Sequence, residues 1–273
     1  MWCSRTSGTA VLYLMMTVFL NGGLQAQEAP VPPPVVTPPS AVVSVVVIDG
    51  KTMAGDFLNI LGQQTKALWR KLYRDPPPTP STDRLKVAFT LGVLIADSHL
   101  KLQAGDAQKF RDNNQDLLAY CKVLGLSEKI TPEVMAEGKM AETEDWNGLK
   151  EKVNGLRQLI MQLLKDQRDE DLSILVNLGV WMRLQEISSS LVLNDPEITH
   201  KTLCIGSPLL INDMIADFEK LTEVTRLDPL IAQLGKTLQH LQRYWSDVQE
   251  PVSMDQVQMS SDKIKHIVSK IAQ

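Results

Sequence analysis

The chain has 273 residues, of which 44% are hydrophobic and 22% charged, with three cysteines and a net charge of −4. It is too apolar and too weakly charged to be wholly disordered, and its cysteines are too few for a disulfide scaffold. Its mild acidity argues against a nucleic-acid partner, because phosphate recognition needs clustered positive charge.

Residues 1–26 read as a secretory signal peptide: Arg5 near the amino terminus, the uncharged apolar run Ala10–Leu20, then Leu24-Gln25-Ala26 before the cut. An uncleaved anchor is the alternative. Eleven apolar residues fall well short of the ~20 that span a bilayer, so no transmembrane helix is expected in the mature chain. Cys3 precedes the apolar core, where it cannot serve as a lipidated cysteine following one. Export to the bacterial periplasm or beyond is the expected localisation. Residues 27–51 form a linker. Glu28–Ser40 reads EAPVPPPVVTPPS, extended polyproline-type chain. The β-branched run Ala41–Asp49 suits an extended segment, docked or disordered.

Residues 52–273 predict a single all-α helical-bundle domain. Phe57, Leu61, Leu68, Trp69 and Leu72 mark one helix over 56–73, stopped at Asp75-Pro76-Pro77-Pro78. Ser81 or Thr82 caps a second helix to about Gln103, and a third covers 107–124. Thr131-Pro132-Glu133 opens a short helix, and Asp195-Pro196, Ser207-Pro208 and Asp228-Pro229 repeat that device. Ser253 and Gln256 form a capping-box pattern. Trp146, Leu149, Val153, Leu156, Ile160 and Leu163 alternate spacings of three and four, as do apolar residues from Ile231 to Val248. These are seams for packing inside one bundle.

Two helices are apolar on nearly every face: Val87–Ala96 and Ile174–Met182. Such helices sit at the centre of a domain. Both contain Leu-Gly-Val, at 91–93 and 178–180, an offset of 87 residues. Internal duplication is one reading, and coincidence in leucine-rich helices the other. A helical glycine costs about 1 kcal/mol against alanine, which a close crossing at Gly92 and Gly179 would offset.

The stretches LGVLIADSHLKLQAGD (91–106), Asp145-Trp146 and DEDLSILVNLGVWMRLQEISS (169–189) are similar to uncharacterised exported bacterial helical proteins. The resemblance implies one helical domain outside the cytoplasm and carries over no catalytic residue.

There is no His-Glu-x-x-His, Cys-x-x-Cys or Gly-x-Ser-x-Gly, and no phosphate-cradling glycine loop. The four histidines (99, 200, 240, 266) share no helix face at i, i+4, so no metal or cofactor is expected. Asp169, Glu170 and Asp171 suit a helix N-terminus better than a cation, and Asp213, Asp217 and Glu219 read as a solvated face. Cys121 and Cys204 can form one disulfide in an oxidising compartment, or serve as buried apolar thiols. Asp97 and Arg183 each lie one turn beyond a Leu-Gly-Val. They can meet across the helix crossing, or pair locally with Lys101 and Glu186. The favoured function is a non-enzymatic binding or structural module whose partner is a protein or envelope component. The alternative is a small-ligand carrier with an apolar interhelical cavity lined by Trp181, Asp97 and Arg183. An enzyme whose residues converge only in three dimensions is the third reading.

Overall fold

Helices begin in this chain where a short polar side chain can take the first free amides. Asp83 accepts from the Leu85 and Lys86 amides, Asp106 from Lys109, Asp145 from Gly148 and Asp228 from Leu230 and Ile231. Ser253 and Gln256 bond reciprocally, as a capping box does. The computed structural model describes residues 54–64, 68–194, 208–246 and 253–272. The signal-like leader, the proline-rich linker, Asp195-Pro196 and Cys204 lie outside the described residues.

The described residues form helices and no strands. In order they are α1 (Ala54–Gln64), α2 (Arg84–Gln103), α3 (Ala107–Val123), α4 (Ser127–Glu142), α5 (Trp146–Asp166) and α6 (Glu170–Asn194). Then follow α7 (Pro208–Glu219), α8 (Glu223–Leu227), α9 (Pro229–Ser246) and α10 (Met254–Ala272). The all-α bundle is as expected, and three boundaries differ. The α2 cap is Asp83, because its carboxylate reaches two amides, while Ser81 accepts from the Asp83 amide instead. The expected helix over 56–73 is divided: α1 ends at Gln64, and Trp69–Leu72 forms a separate 3-10 turn. Leu68 is exposed there, so the apolar stripe does not continue. The helix assigned to Thr131 begins earlier, at Ser127, with Pro132 inside it. The Leu126 carbonyl accepts from Lys129 and Ile130, which starts the helix before the proline is reached.

Four consecutive joints, from α2 to α6, share one plan. Each has a helical C-cap, then a residue at positive φ, then the residue that leads the next helix. Gly105 and Gly125 hold the positive φ in the first two, and Glu144 (55°) and Arg168 (62°) in the others. At each joint the following amide reaches back over the last turn: Asp106 to Lys101, Leu126 to Cys121, Asp145 to Met140 and Asp169 to Leu164. This is the Schellman closure, which satisfies carbonyls a helix end otherwise leaves free.

The axis of the bundle is the α2–α6 pair. Every residue from Val87 to Leu102 is buried, as is nearly every one from Leu172 to Val192. They cross at their glycines. A β-carbon on Gly92 would stand 2.1 Å from the Val176 carbonyl oxygen, and one on Gly179 would stand 2.1 Å from that of Phe89. The 87-residue offset that relates the two motifs therefore also relates the two contacts. Away from the crossing the surroundings differ: α2 packs against α3, its neighbour in sequence, and α6 against α10. The seam residues Leu149, Val153, Leu156 and Ile160 of α5 and Ile231, Leu234, Leu238, Leu241 and Trp245 of α9 are buried.

Candidate functional site

Beyond the glycine crossing, α2 and α6 present Asp97 and Arg183 to each other. Arg183 Nε donates to Asp97 Oδ1 at 2.8 Å, and both residues are buried. The local pairs form as well: Arg183 with Glu186 at 3.1 Å, and Lys101 with Asp97 at 3.9 Å. Arg183 Nη2 also donates to the Leu72 carbonyl at 2.7 Å, which ties the chain entering Tyr73–Pro78 to α6. Arg74 completes the chain of charges. Its guanidinium donates to Glu186 Oε2 at 2.9 Å and to Ser269 Oγ on α10 at 3.0 Å. At the other end Lys101 donates to Asn113 Oδ1 at 2.6 Å, and Asn113 Nδ2 donates to Ser98 Oγ at 2.7 Å.

Burial works against each of these charges, and the partners outweigh it at Asp97 and Arg183 but not at Lys101. Burial alone would raise the Asp97 carboxyl, but Arg183 and then Lys101 outweigh it and hold it below its ordinary value. Arg183 is likewise pulled down by burial but raised overall by Asp97 and Glu186. Lys101 falls below its ordinary value because burial outweighs Asp97. A buried charge without a partner costs several kcal/mol, so α2, α3, α6, α10 and the segment 72–74, which supply this network, are held to one geometry.

Arg74, Asp97, Glu186 and Ser269 of this network line a cleft of about 350 Å³. The lining also includes Asp75-Pro76-Pro77-Pro78, Val93 and Leu94 of α2, and Lys265 of α10. Of the predicted site residues, the structure brings Asp97 and Arg183 together and leaves Trp181 elsewhere. The Trp181 ring packs edge-on against Phe57 of α1, with centroids 6.0 Å apart, and its indole nitrogen has no hydrogen-bond partner. Two residues along a helix is about 200° of turn, so Trp181 and Arg183 point to opposite sides of α6. The cleft at Asp97 is lined by polar and apolar residues together, and Trp181 is not among them. Arg74, Ser269 and Lys265 were missed in the sequence. The only signal was the position of Arg74 against a proline run.

Two further polar groups are buried. A β-carbon on Gly55 would stand 3.3 Å from His99 Nδ1 and 3.5 Å from the Asn154 amide, so α1 lies directly on both side chains. Burial, with Arg157 adding to it, pushes the His99 imidazole down to about 3. Between α3 and α4, Asn114 Nδ2 donates to Glu137 Oε2 at 3.3 Å, while Glu137 Oε1 and Asn114 Oδ1 have no partner. Burial pushes the Glu137 carboxyl up to about 7.

The remaining candidates are structural. Asp169 pairs with Arg84 at 2.6 Å, joining the starts of α6 and α2. Asp171 accepts from the Thr222 amide and from the Thr222 and Thr225 hydroxyls. Asp217 accepts from Asn177 and Lys220. No group of three or more possible metal ligands occurs among the described residues. Cys121 is a buried free thiol, pushed up to about 12 by burial, and its expected partner Cys204 lies outside the described residues. Among the described residues no helix is long and apolar enough to cross a membrane. Comparison with protein-family models, with curated proteins and with solved structures gave no match.

Proposed function

We propose that this chain is an exported, non-enzymatic binding module, and that the cleft at Asp75–Pro78 is where it takes a small polar ligand. The observation that carries this reading is the Arg74–Glu186–Arg183–Asp97 chain of ion pairs, of which Arg74, Glu186 and Asp97 line the cleft and Arg183 lies behind them. Charges fixed by neighbours are preorganised, so a ligand meets them without a reorganisation cost. The volume, about 350 Å³, falls at the small end of the roughly 300–1,000 Å³ typical of small-molecule sites. The signal-like leader and the proline-rich spacer support export and tethering. Support for a binding role over catalysis comes from Ser269, whose hydroxyl accepts from Arg74 rather than facing a histidine base.

The test is native mass spectrometry of protein exported by its own host and never denatured. A retained non-covalent mass, absent from Ser269→Trp protein of unchanged helix content, is the expected result. A clean apo mass, with hydrogen exchange at 73–78 and 265–272 unmoved by a small-metabolite extract, would overturn the reading.

A further inference from the structure

The charges that line the cleft are not equally engaged. Glu186 Oε2 receives both Arg74 and Arg183, and Asp97 receives Arg183 with Lys101 behind it. Both carboxylates are therefore already neutralised. Lys265, half-buried on α10, makes no ion pair or hydrogen bond among the described residues, although it lines the same cleft. Arg74 uses two directions of its guanidinium, toward Glu186 and Ser269, out of five N–H donors. Asp75, the remaining carboxylate of the lining, is exposed. Across the cleft and the pairs behind it, Arg74, Lys101, Arg183 and Lys265 face Asp75, Asp97 and Glu186. Asp116 also acts on Lys101, so the charges balance in number, and Lys265 is the cation left without a partner among the described residues. The lining has apolar residues as well: Val93, Leu94 and the prolines.

Resting on the binding reading above, we infer that the ligand class is a small organic acid, a monocarboxylate with a short apolar body. Its carboxylate sits between Lys265 Nζ and the unused N–H groups of Arg74, and its body lies along Val93, Leu94 and the prolines. A cationic ligand would meet Asp97 and Glu186 already partnered, only the solvent-exposed Asp75 unengaged, and an ammonium in its way. A dianion would find one charge to neutralise and would add repulsion from Asp75 and Glu186.

The probes are hexanoate and hexylamine, which share an apolar body and differ in the sign of the head. Each is titrated at low ionic strength into the full chain and followed by amide chemical shifts. Hexanoate should give saturable shifts confined to residues 73–78, 90–97 and 265–272, weakened by salt, and hexylamine should give none. Lys265→Met should weaken hexanoate at least tenfold, the size of roughly one charge-assisted hydrogen bond. Lys263→Met, on the same helix but outside the cleft lining, should leave it unchanged. Hexylamine binding as well as hexanoate, or an unaltered Lys265→Met, would overturn the acid assignment while leaving the cleft as a binding site. Failure of both probes would overturn this inference alone if native mass spectrometry still shows a retained mass, and the binding reading with it if that mass is also absent.

Discussion

One methyl group on Gly92 or Gly179 would collide with a backbone carbonyl of the opposite helix at 2.1 Å. A backbone cannot rotate away as a side chain can, so the overpacking cost belongs near the top of its usual range, about 3 kcal/mol. The helix-propensity gain returns about 1 kcal/mol. Gly92→Ala and Gly179→Ala should each lose about 2 kcal/mol in urea unfolding by these terms. Gly155→Ala is the control, since its β-carbon would meet nothing within 4 Å. It should gain about 1 kcal/mol, and a loss there would show that glycine replacement harms this bundle for some other reason. The same logic separates the ion pairs. Asp97→Ala leaves Arg183 buried with Glu186 as its remaining carboxylate, and should cost about 3 kcal/mol. Lys220→Ala removes an exposed partner of Asp217 and should stay within about 0.5 kcal/mol. Equal losses from the two would contradict the burial argument. The Asp97–Arg183 contact was legible as an alternative because both residues follow the same motif. Trp181 was misplaced because nearness in sequence was read as nearness in space, although 100° per residue separates its face from that of Arg183.

The four Schellman joints explain why α2 to α6 follow one another with only three-residue connections. Two of them hold a residue with a β-carbon in the left-handed region, which costs roughly 1 kcal/mol or more relative to glycine. Glu144→Gly and Arg168→Gly should therefore each stabilise the chain, by about 0.5–1 kcal/mol after the unfolded-state entropy of glycine is counted. Thermal unfolding that moves down for both would contradict the assigned backbone conformation. Caps and proline starts were readable because they depend on local chemistry: Pro208 and Pro229 open helices, and Ser253 with Gln256 closes its box. The division of the expected 56–73 helix was not readable. Leu72 gives its carbonyl to Arg183, 111 residues away, and no local rule contains that partner.

For the molecule as a whole, two buried titratable groups oppose each other in pH. Glu137 has a folded value raised from 4.5 to about 7 by burial. The folded state holds its proton more tightly, so the stability it contributes is full below 4.5 and is lost as pH rises through 7. Asn114 gives it a hydrogen bond, and Lys152 and Glu133 act on it in opposite senses. His99 has a folded value lowered from 6.5 to about 3 by burial and by Arg157. Its folded state resists protonation, so stability is lost as pH falls from 6.5 toward 3. Between about pH 4.5 and 6.5 the two slopes cancel, and urea midpoints should show a plateau there. Glu137→Gln should remove the fall above that window and be more stable than the parent at pH 8 by roughly 2–3 kcal/mol. A variant that tracks the parent through pH 8 would show that Glu137 is ionised in the folded state.

The sequence by itself determined the helical class, most helix starts and the two central helices. Each of these follows from periodicity, side-chain reach to nearby amides, and the burial demand of a helix apolar on every face. It also marked Gly92 and Gly179 as needing a close neighbour, because a helical glycine is otherwise a loss. Only the tertiary structure decided which charges meet. It set Arg74 and Arg183 on one carboxylate of Glu186, placed Lys265 in the lining of a cleft with no partner among the described residues, turned Trp181 toward Phe57, and buried Glu137 against Asn114. Those outcomes depend on how helices from distant parts of the chain are placed against one another, and in a low-dielectric interior a shift of an ångström decides whether a charge is paired or stranded.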